Sequence, residues 1–419
     1  MLEFKATEIL ILLINVVLGM ILFFLLLAIS RRLYNGARFR SLDKYRADYQ
    51  PRLEKALADG TFSDKRSTFE APLLSLPWQA VEDVLFRLID KPSLRAAAAQ
   101  AFQSLGYVQY YERSVKSGSV LKKALAINKL GRMRSGSSAD LLLSMLDCKE
   151  PEIIASSVWA LGNIGDSVTL PHIFSVLPDL FRQELISAKT VENALLLFGI
   201  KAKDILIEEA KKCQDPGILA IILEARHTFP IDEPSLDFAM SVLRHTDPEV
   251  RAKALKVIAA SPRAMRVCVE PGIAPLLADP VWFVRLQAVR ALGFMECSSL
   301  AGQIGHMVLD ERWQVRRAAA VALTRLGDKA VETLLTLLRS SDRYARETVC
   351  EEIQKTDFIM MLIWHLTSPQ LALKEKATEI LRTMISLRFS SVLREMLETL
   401  HDEPLKKEIA ALLREEPSQ

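Results

Sequence analysis

The sequence predicts an all-α fold: an α-solenoid of stacked helix pairs preceded by a single transmembrane helix. Three observations predict it. A stretch of 22 residues near the N-terminus, Ile9 to Ser30, carries no charge. A short signature that opens on aspartate returns at Asp247, Asp279, Asp310 and Asp342, in steps of 32, 31 and 32 residues. Ala, Leu, Arg, Lys and Glu, all good helix formers, dominate the rest, without the sustained alternation that strands show.

The apolar stretch comes first. As a helix it reaches ~33 Å, enough to cross a hydrocarbon core of ~30 Å. Residues 1–8 hold one Lys against Glu3 and Glu8, and SRRLYNG follows with no small-x-small cleavage pattern. Those flanks and the length of the run indicate a retained anchor over residues 1–30 rather than a cleaved signal. The flank beyond it is Arg-rich at once, with Arg31 and Arg32. The positive-inside bias then places the N-terminus outside and the rest of the chain in the cytosol. Asn15 and Gly19 lie four apart on one face of this helix, a pairing that suits contact with a partner helix.

Residues 31–77 form a basic juxtamembrane segment and linker. From Arg31 to Arg66 ten Lys/Arg, among them Arg38 and Arg40, stand against five acids. The whole chain carries only +3, so the remainder is slightly acidic. A nucleic-acid binder is basic over its folded domain as well, so nucleic acid is not an expected partner. The basic residues with Leu33, Tyr34, Phe39, Tyr45 and Tyr49 suit an anionic interface, or a cytosolic loop of a partner. Gly60 to Pro77 carries Gly, Ser and Pro and reads as the link between anchor and solenoid.

Residues 78–120 are expected to form a helical cap, and residues 121–419 the repeats. The signature is clearest in DPEVRAKALKVIA, DPVWFVRLQAVRALG, DERWQVRRAAAVALTRLGD and SDRYARETVCEEI. Weaker copies begin at Leu121, Glu150, Asp215, Ser368 and Asp402, with a degenerate one around Ser187. A second apolar helix, such as GHMVLD or TLLTLLRSSD, closes each unit. About nine units fit between Leu121 and Leu413. One helix pair cannot cover its own apolar face, so neighbours stack and share a core. The polar end EEPSQ reads as frayed.

The D-x-x-VR-xx-A-xx-AL-x-x-(L/I)GD pattern resembles the HEAT-repeat family, specifically the short bacterial type also found in phycobilisome lyases. The resemblance implies a ladder in which Asp and Arg tie successive repeats together, here Asp247/Arg251, Asp279/Arg285, Asp310/Arg316 and Asp342/Arg346. Ile153, Ser187 and Ile218 replace the Val of the pattern without a following Arg, so the ladder is expected to fade in the N-terminal half. The resemblance also implies accessory subunits of bacterial envelope machineries, of glycosyltransferase or secretion type, in the inner membrane. Its alternative is a phycobilin-lyase-like or other ligand-modifying enzyme.

Enzyme chemistry finds little purchase in the residues. The cysteines Cys148, Cys213, Cys268, Cys297 and Cys350 are odd in number, dispersed, and read as buried thiols. None of the six histidines is followed by Glu, and no two are at i, i+3 or i+4. No GxxxxGK[ST], GxSxG or GxGxxG motif occurs, and Glu351/Glu352 and Glu415/Glu416 read as solvated helix faces. No catalytic, metal or cofactor-binding residue is assigned, and no cofactor is expected.

What remains is surface. Trp282 and Trp313 each stand three residues after the Asp of their repeat, and equivalent positions of stacked repeats lie roughly 10 Å apart. With Phe283, Arg312, Arg317 and Tyr344 they make a candidate partner-binding stripe, since Trp, Tyr and Arg anchor interfaces; alternatively each Trp plugs the preceding repeat. The Pro-containing inserts His227–Asp237 and Ser261–Pro275 map to loops that could touch partners. The expectation is a non-enzymatic scaffold at the cytosolic membrane face. Its partners are proteins, one of them a membrane protein, with lipid met through the anchor.

Overall fold

The computed structural model describes residues 2–262 and 270–414, with side chains described outside residues 2–10 and 12. Cys268, much of the second insert, and the end at 415–419 with Glu415 and Glu416 therefore lie outside the described residues. All regular structure among the described residues is helical. Helices of six residues or more are numbered here in chain order. The chain divides into two units, 1–166 and 167–419.

The first unit begins with α1 (Leu2–Ala58), one helix of 57 residues. Its apolar part is exposed at every side chain from Leu13 to Ser30, and it is long and apolar enough to cross a membrane. The helix does not stop at the end of that stretch. Leu42, Leu53, Ala56 and Leu57 are buried, and α1 packs along α2 (Leu76–Ile89). Four polar contacts line this seam. Arg38 Nη2 donates to Gln79 Oε1 at 2.9 Å, Arg46 Nε to Asp83 Oδ2 at 3.0 Å, and Arg87 Nη1 to Gln50 Oε1 at 3.3 Å, while Lys91 pairs with Glu54. Partner numbers rise together along both helices, with a constant offset of 37 in the last three contacts. The two helices therefore run parallel.

That geometry corrects the expected linker. Residues 31–58 continue α1 as helix, and from Leu42 onward they contribute to this unit's core rather than serving as a tether. Leu76 and Pro77 of the expected Gly60–Pro77 link already open α2, and Gly60 to Ser75 is the return crossover that two parallel helices require. It ends where Ser75 caps α2, accepting from Trp78 N–H at 3.3 Å.

The unit continues through α3 (Arg95–Ser104), α4 (Tyr107–Ser117), α5 (Val120–Arg132), α6 (Ala139–Ser144) and α7 (Pro151–Ile164). Trp78 packs on Tyr107 with ring centroids 4.5 Å apart, and Phe86 on Phe102 at 4.8 Å. The buried Glu82 accepts from Tyr111 Oη at 2.6 Å and pairs with Lys129 at 3.0 Å. Because Lys129 belongs to α5, the expected boundary between cap and repeats at 120/121 falls inside a shared core. Gly131 makes the α5–α7 contact possible, since a Cβ there would lie 2.5 Å from Ala160 Cα.

The second unit begins with α8 (Leu170–Arg182) and then alternates signature and second helices. The signature helices are α9 (Ala188–Leu197), α11 (Pro216–Arg226), α13 (Pro248–Ala259), α14 (Trp282–Phe294), α16 (Trp313–Arg325) and α18 (Arg343–Lys355). Each packs on the next, forming one layer. Between them lie α10 (Lys203–Lys212), α12 (Glu233–Ser241), α15 (Ala301–His306) and α17 (Val331–Leu338). Contacts α8–α10, α10–α12 and α15–α17 build the second layer. The unit closes with α19 (Phe358–His365), α20 (Leu371–Ser386), α21 (Ser391–Thr399) and α22 (Glu403–Arg414). Inward positions such as Val250, Leu255, Val284, Leu292, Val315 and Leu323 are fully buried. Their 3.6-residue spacing is what made the sequence readable as helix pairs.

The register of the degenerate repeat near Ser187 needs correcting. Ser187 is the N-cap of α9, accepting from Thr190 N–H at 3.1 Å, and Val191 is the buried residue. Ser187 thus stands at the Asp position of the pattern, not at its Val.

Candidate protein-binding groove

Two rungs of Arg–Asp contact fix α13, α14 and the turn before α16 to one another. Arg251 grips Asp279 with both arms of its fork, at 2.8 and 2.9 Å, and donates its third nitrogen to the carbonyls of His245 (2.8 Å) and Thr246 (3.0 Å). Arg285 does the same one repeat later. It meets Asp310 at 2.7 and 3.0 Å, and the carbonyls of Asp279 and Pro280 at 2.9 and 3.3 Å. Each guanidinium is planar and bidentate, so it sets orientation as well as distance. Burial works to raise the pKa of Asp310, but the Arg285 bonds and the Arg312 N–H outweigh it and hold the carboxyl below its usual range.

The ladder ends there, in contrast to the expected Asp310/Arg316 and Asp342/Arg346 rungs. Arg316 lies over the Tyr344 ring at 5.4 Å instead. The Nε atoms of both Arg316 and Arg346 are buried without a hydrogen-bond partner. Spacing gives the reason. In Asp279…Arg285 and Asp310…Arg316 the two residues stand six apart, and the aspartate precedes the N-caps Val281 and Arg312. In Asp247…Arg251 and Asp342…Arg346 they stand four apart, and the aspartate is itself the N-cap. Asp247 accepts from Val250 N–H at 3.2 Å, and Asp342 from Ala345 N–H at 2.8 Å.

On the outer face of the clamped helices lies a groove of about 340 Å³ between α14 and α16. Its walls are Trp282, Leu286, Arg290 and Phe294 on one side, and Trp313, Arg317, Val321 and Arg325 on the other. At the floor the two helices approach tightly, since a Cβ on Gly293 would lie 2.7 Å from Ala322 Cβ. Trp313 is 60% exposed and Phe294 52%, while Trp282 is half-buried. The Arg325 guanidinium lies over the Phe294 ring at 4.3 Å, and Arg317 Nε reaches Glu352 at 2.9 Å. Three arginines and no carboxylate line the groove.

Residues 315–340, which take in most of α16 and all of α17, match the family model described as PBS lyase HEAT-like repeat. That stretch is a HEAT-type repeat. A search of the curated proteins finds no match. Among solved structures, an engineered protein is 18% identical, with 82% of this chain and 96% of that chain covered and a TM-score of 0.37. The karyopherin Kap121p bound to the extreme C-terminus of the protein phosphatase Cdc14p is 13% identical, with a TM-score of 0.44. Kap121p bound to Nup53p is 12% identical, with a TM-score of 0.45. Both karyopherin alignments cover 82% of this chain, which spans 46% of the karyopherin's length.

Of the stripe expected on the HEAT-type repeats, Trp282, Trp313 and Arg317 line the groove. Phe283 packs edge-on against Trp282 at 5.9 Å, Arg312 is an N-cap, and Tyr344 sits over Arg316, so none of these three lines it. The sequence reading missed Leu286, Arg290, Phe294, Val321 and Arg325. The signal was present: 282, 286, 290, 294 and 313, 317, 321, 325 are two rows of every fourth residue, and such rows share a helix face.

Other candidates fall elsewhere. Arg38 is spent on Gln79 of α2 rather than left free for the interface role expected of the basic segment. Arg40 donates to Gly36 O at 3.3 Å within its own helix; Arg31, Arg32, Asn15 and Gly19 are exposed on α1. The His227–Asp237 insert is a bonded corner. Arg226, wholly buried, donates to Phe229 O, Pro230 O and Asp232 Oδ1 at 3.3, 2.9 and 3.0 Å. Cys350 is buried, which pushes its thiol up to about 12. Cys148 and Cys213 differ from the expectation of buried helical thiols: both are half-buried and lie just past helix ends.

Proposed function

We propose that this chain is a membrane-anchored scaffold that binds a protein partner through the α14–α16 groove and has no catalytic activity of its own. The observation that carries the reading is the exposure of Trp313 and Phe294 on two helices whose repeats are tied together by the Arg285–Asp310 rung. Large aromatics beside arginine, on a surface that is already organised, are what binding hot spots are made of. α1 supports the anchoring part, since its apolar stretch runs without a break into the folded unit. The Arg-rich flank after Ser30 supports a cytosolic repeat array with the N-terminus outside. An envelope assembly of the bacterial inner membrane, of glycosyltransferase or secretion type, is the setting we propose. Tethering would raise the partner's effective concentration at the membrane without chemistry.

The test is cross-linking and affinity capture of the full-length chain from native membranes, beside Trp313→Ala and Phe294→Ala. A stoichiometric protein that is kept by the parent chain and lost from both variants supports the reading. A partner retained equally by all three removes the groove from it, and a small-molecule ligand in place of any protein reopens the enzymatic alternative.

A further inference from the structure

The charges around the groove are distributed unevenly, and this distribution specifies the partner. On the neighbouring signature helices the cations, Arg346 of α18 apart, are paired within the chain. Lys253 and Lys256 of α13 share Glu224 at 3.0 and 2.9 Å. On α18, Arg343 pairs with Glu347 at 2.7 Å, and Lys355 pairs with Glu351. Inside the groove, Arg290 and Arg325 have no ion pair among the described residues, and Arg325 is held by stacking on Phe294. Stacking occupies the flat face of a guanidinium and leaves its N–H edge free for a bidentate carboxylate. Arg290 and Arg325 thus place unpaired positive charge in one interval between two helices, beside an apolar trough.

We infer that the groove takes a short acidic segment of a protein partner that carries one bulky apolar side chain. The apolar side chain seats between Trp282 and Trp313 over the Gly293–Ala322 floor, and flanking Asp or Glu residues pair with Arg290 and Arg325. Arg317, already held by Glu352, closes the wall between them. A nucleic-acid backbone fits this distribution poorly, because its phosphates run on past the groove onto helices most of whose cations are already paired. This inference rests on the scaffold reading and makes it more specific.

The test is panning of a random dodecapeptide phage library against the full-length chain in phosphatidylcholine nanodiscs. Selected peptides are then synthesised, and their affinities measured by fluorescence anisotropy against the parent chain, Trp313→Ala and an Arg290→Glu/Arg325→Glu double variant. The expected selection is rich in Asp and Glu around one Trp, Phe or Leu. Affinity should fall about tenfold or more in each variant, as for a desolvated anchor or charge pair. The double variant should also gain affinity for the same peptides with Lys in place of the acids, a swap that an unfolded protein cannot show. Neutral or basic selections, no selection, or binding indifferent to the variants would overturn the inference, as would a poly-dT oligonucleotide that displaces the peptides. If Trp313→Ala loses the native partner while the selected peptides are not acidic, the scaffold reading stands and only this inference falls. If no protein is captured and no peptide is selected, both fall.

Discussion

Asp279 and Asp310 receive an arginine from the preceding repeat, whereas Asp247 and Asp342 cap their own helices, although all four open the same signature. Two extra residues between Asp and Arg separate the cases, by moving the carboxylate ahead of the N-cap. Removing one partner of a buried, hydrogen-bonded pair costs about 3–5 kcal/mol, because the other charge stays behind. The side chains of Asp310 and Arg285 are only 5% and 10% exposed. Asp310→Ala should therefore lower the urea midpoint of the second unit far more than Asp342→Ala, where a cap worth about 1 kcal/mol is lost. The pH dependence has a definite sign. A carboxyl held below its ordinary 3.8 stabilises fully above that value and stops doing so as pH falls through its lowered native pKa. The stability gap between the parent chain and Asp310→Asn should thus be constant near neutrality and narrow below about pH 4, as followed by urea titrations across that range. The Arg and Asp positions were legible in the sequence. Their pairing was not, because a pattern that tolerates two spacings hides which aspartates are displaced from the cap.

At the scale of elements, the glycines of the KLGRM and ALGFM segments show what repeat position means physically. Gly131 and Gly293 face Ala160 and Ala322 of the next signature helix, with a hypothetical Cβ 2.5 Å from Ala160 Cα and 2.7 Å from Ala322 Cβ. Neither site can accept a side chain without pushing two backbones apart. Overpacking of this kind costs about 1–3 kcal/mol, so Gly293→Ala should be destabilised by that order in thermal unfolding. Ala322→Gly should return part of the loss in the double variant, since Ala322 Cα itself stands 3.0 Å away. Additive effects of the two substitutions would show that the helices do not approach as described. The same scale explains what the sequence concealed about the groove. Its walls are rows of every fourth residue on two different helices, and Arg290 and Arg325 look like ordinary solvated arginines until the two rows face each other. The helix periods were readable because burial imposes them. The facing of two exposed rows is imposed only by the packing between repeats.

At the scale of the molecule, the exposed apolar stretch and the first folded unit share one helix. A tether of coil would leave the fold indifferent to loss of everything before Trp78, which is how the Gly60–Pro77 composition reads. The structure makes a different claim, because Leu42, Leu53, Ala56 and Leu57 of α1 are core residues and the Arg46–Asp83 contact joins α1 to α2. Burying such side chains is worth roughly 1.5–3 kcal/mol each for the larger ones, so α1 from about Arg38 onward belongs to the unit's stability. A chain that starts at Arg31 should leave the membrane fraction yet keep slow amide exchange in α2 and α4. A chain that starts at Thr61 should lose that protection, while α13, α14 and α16 of the second unit keep theirs. Hydrogen exchange read by mass spectrometry separates the two outcomes region by region. Equal protection in both truncations would mean that α1 is only a tether. Loss confined to the shorter chain would mean that the part of α1 between Arg31 and Ala58 belongs to the fold of the first unit.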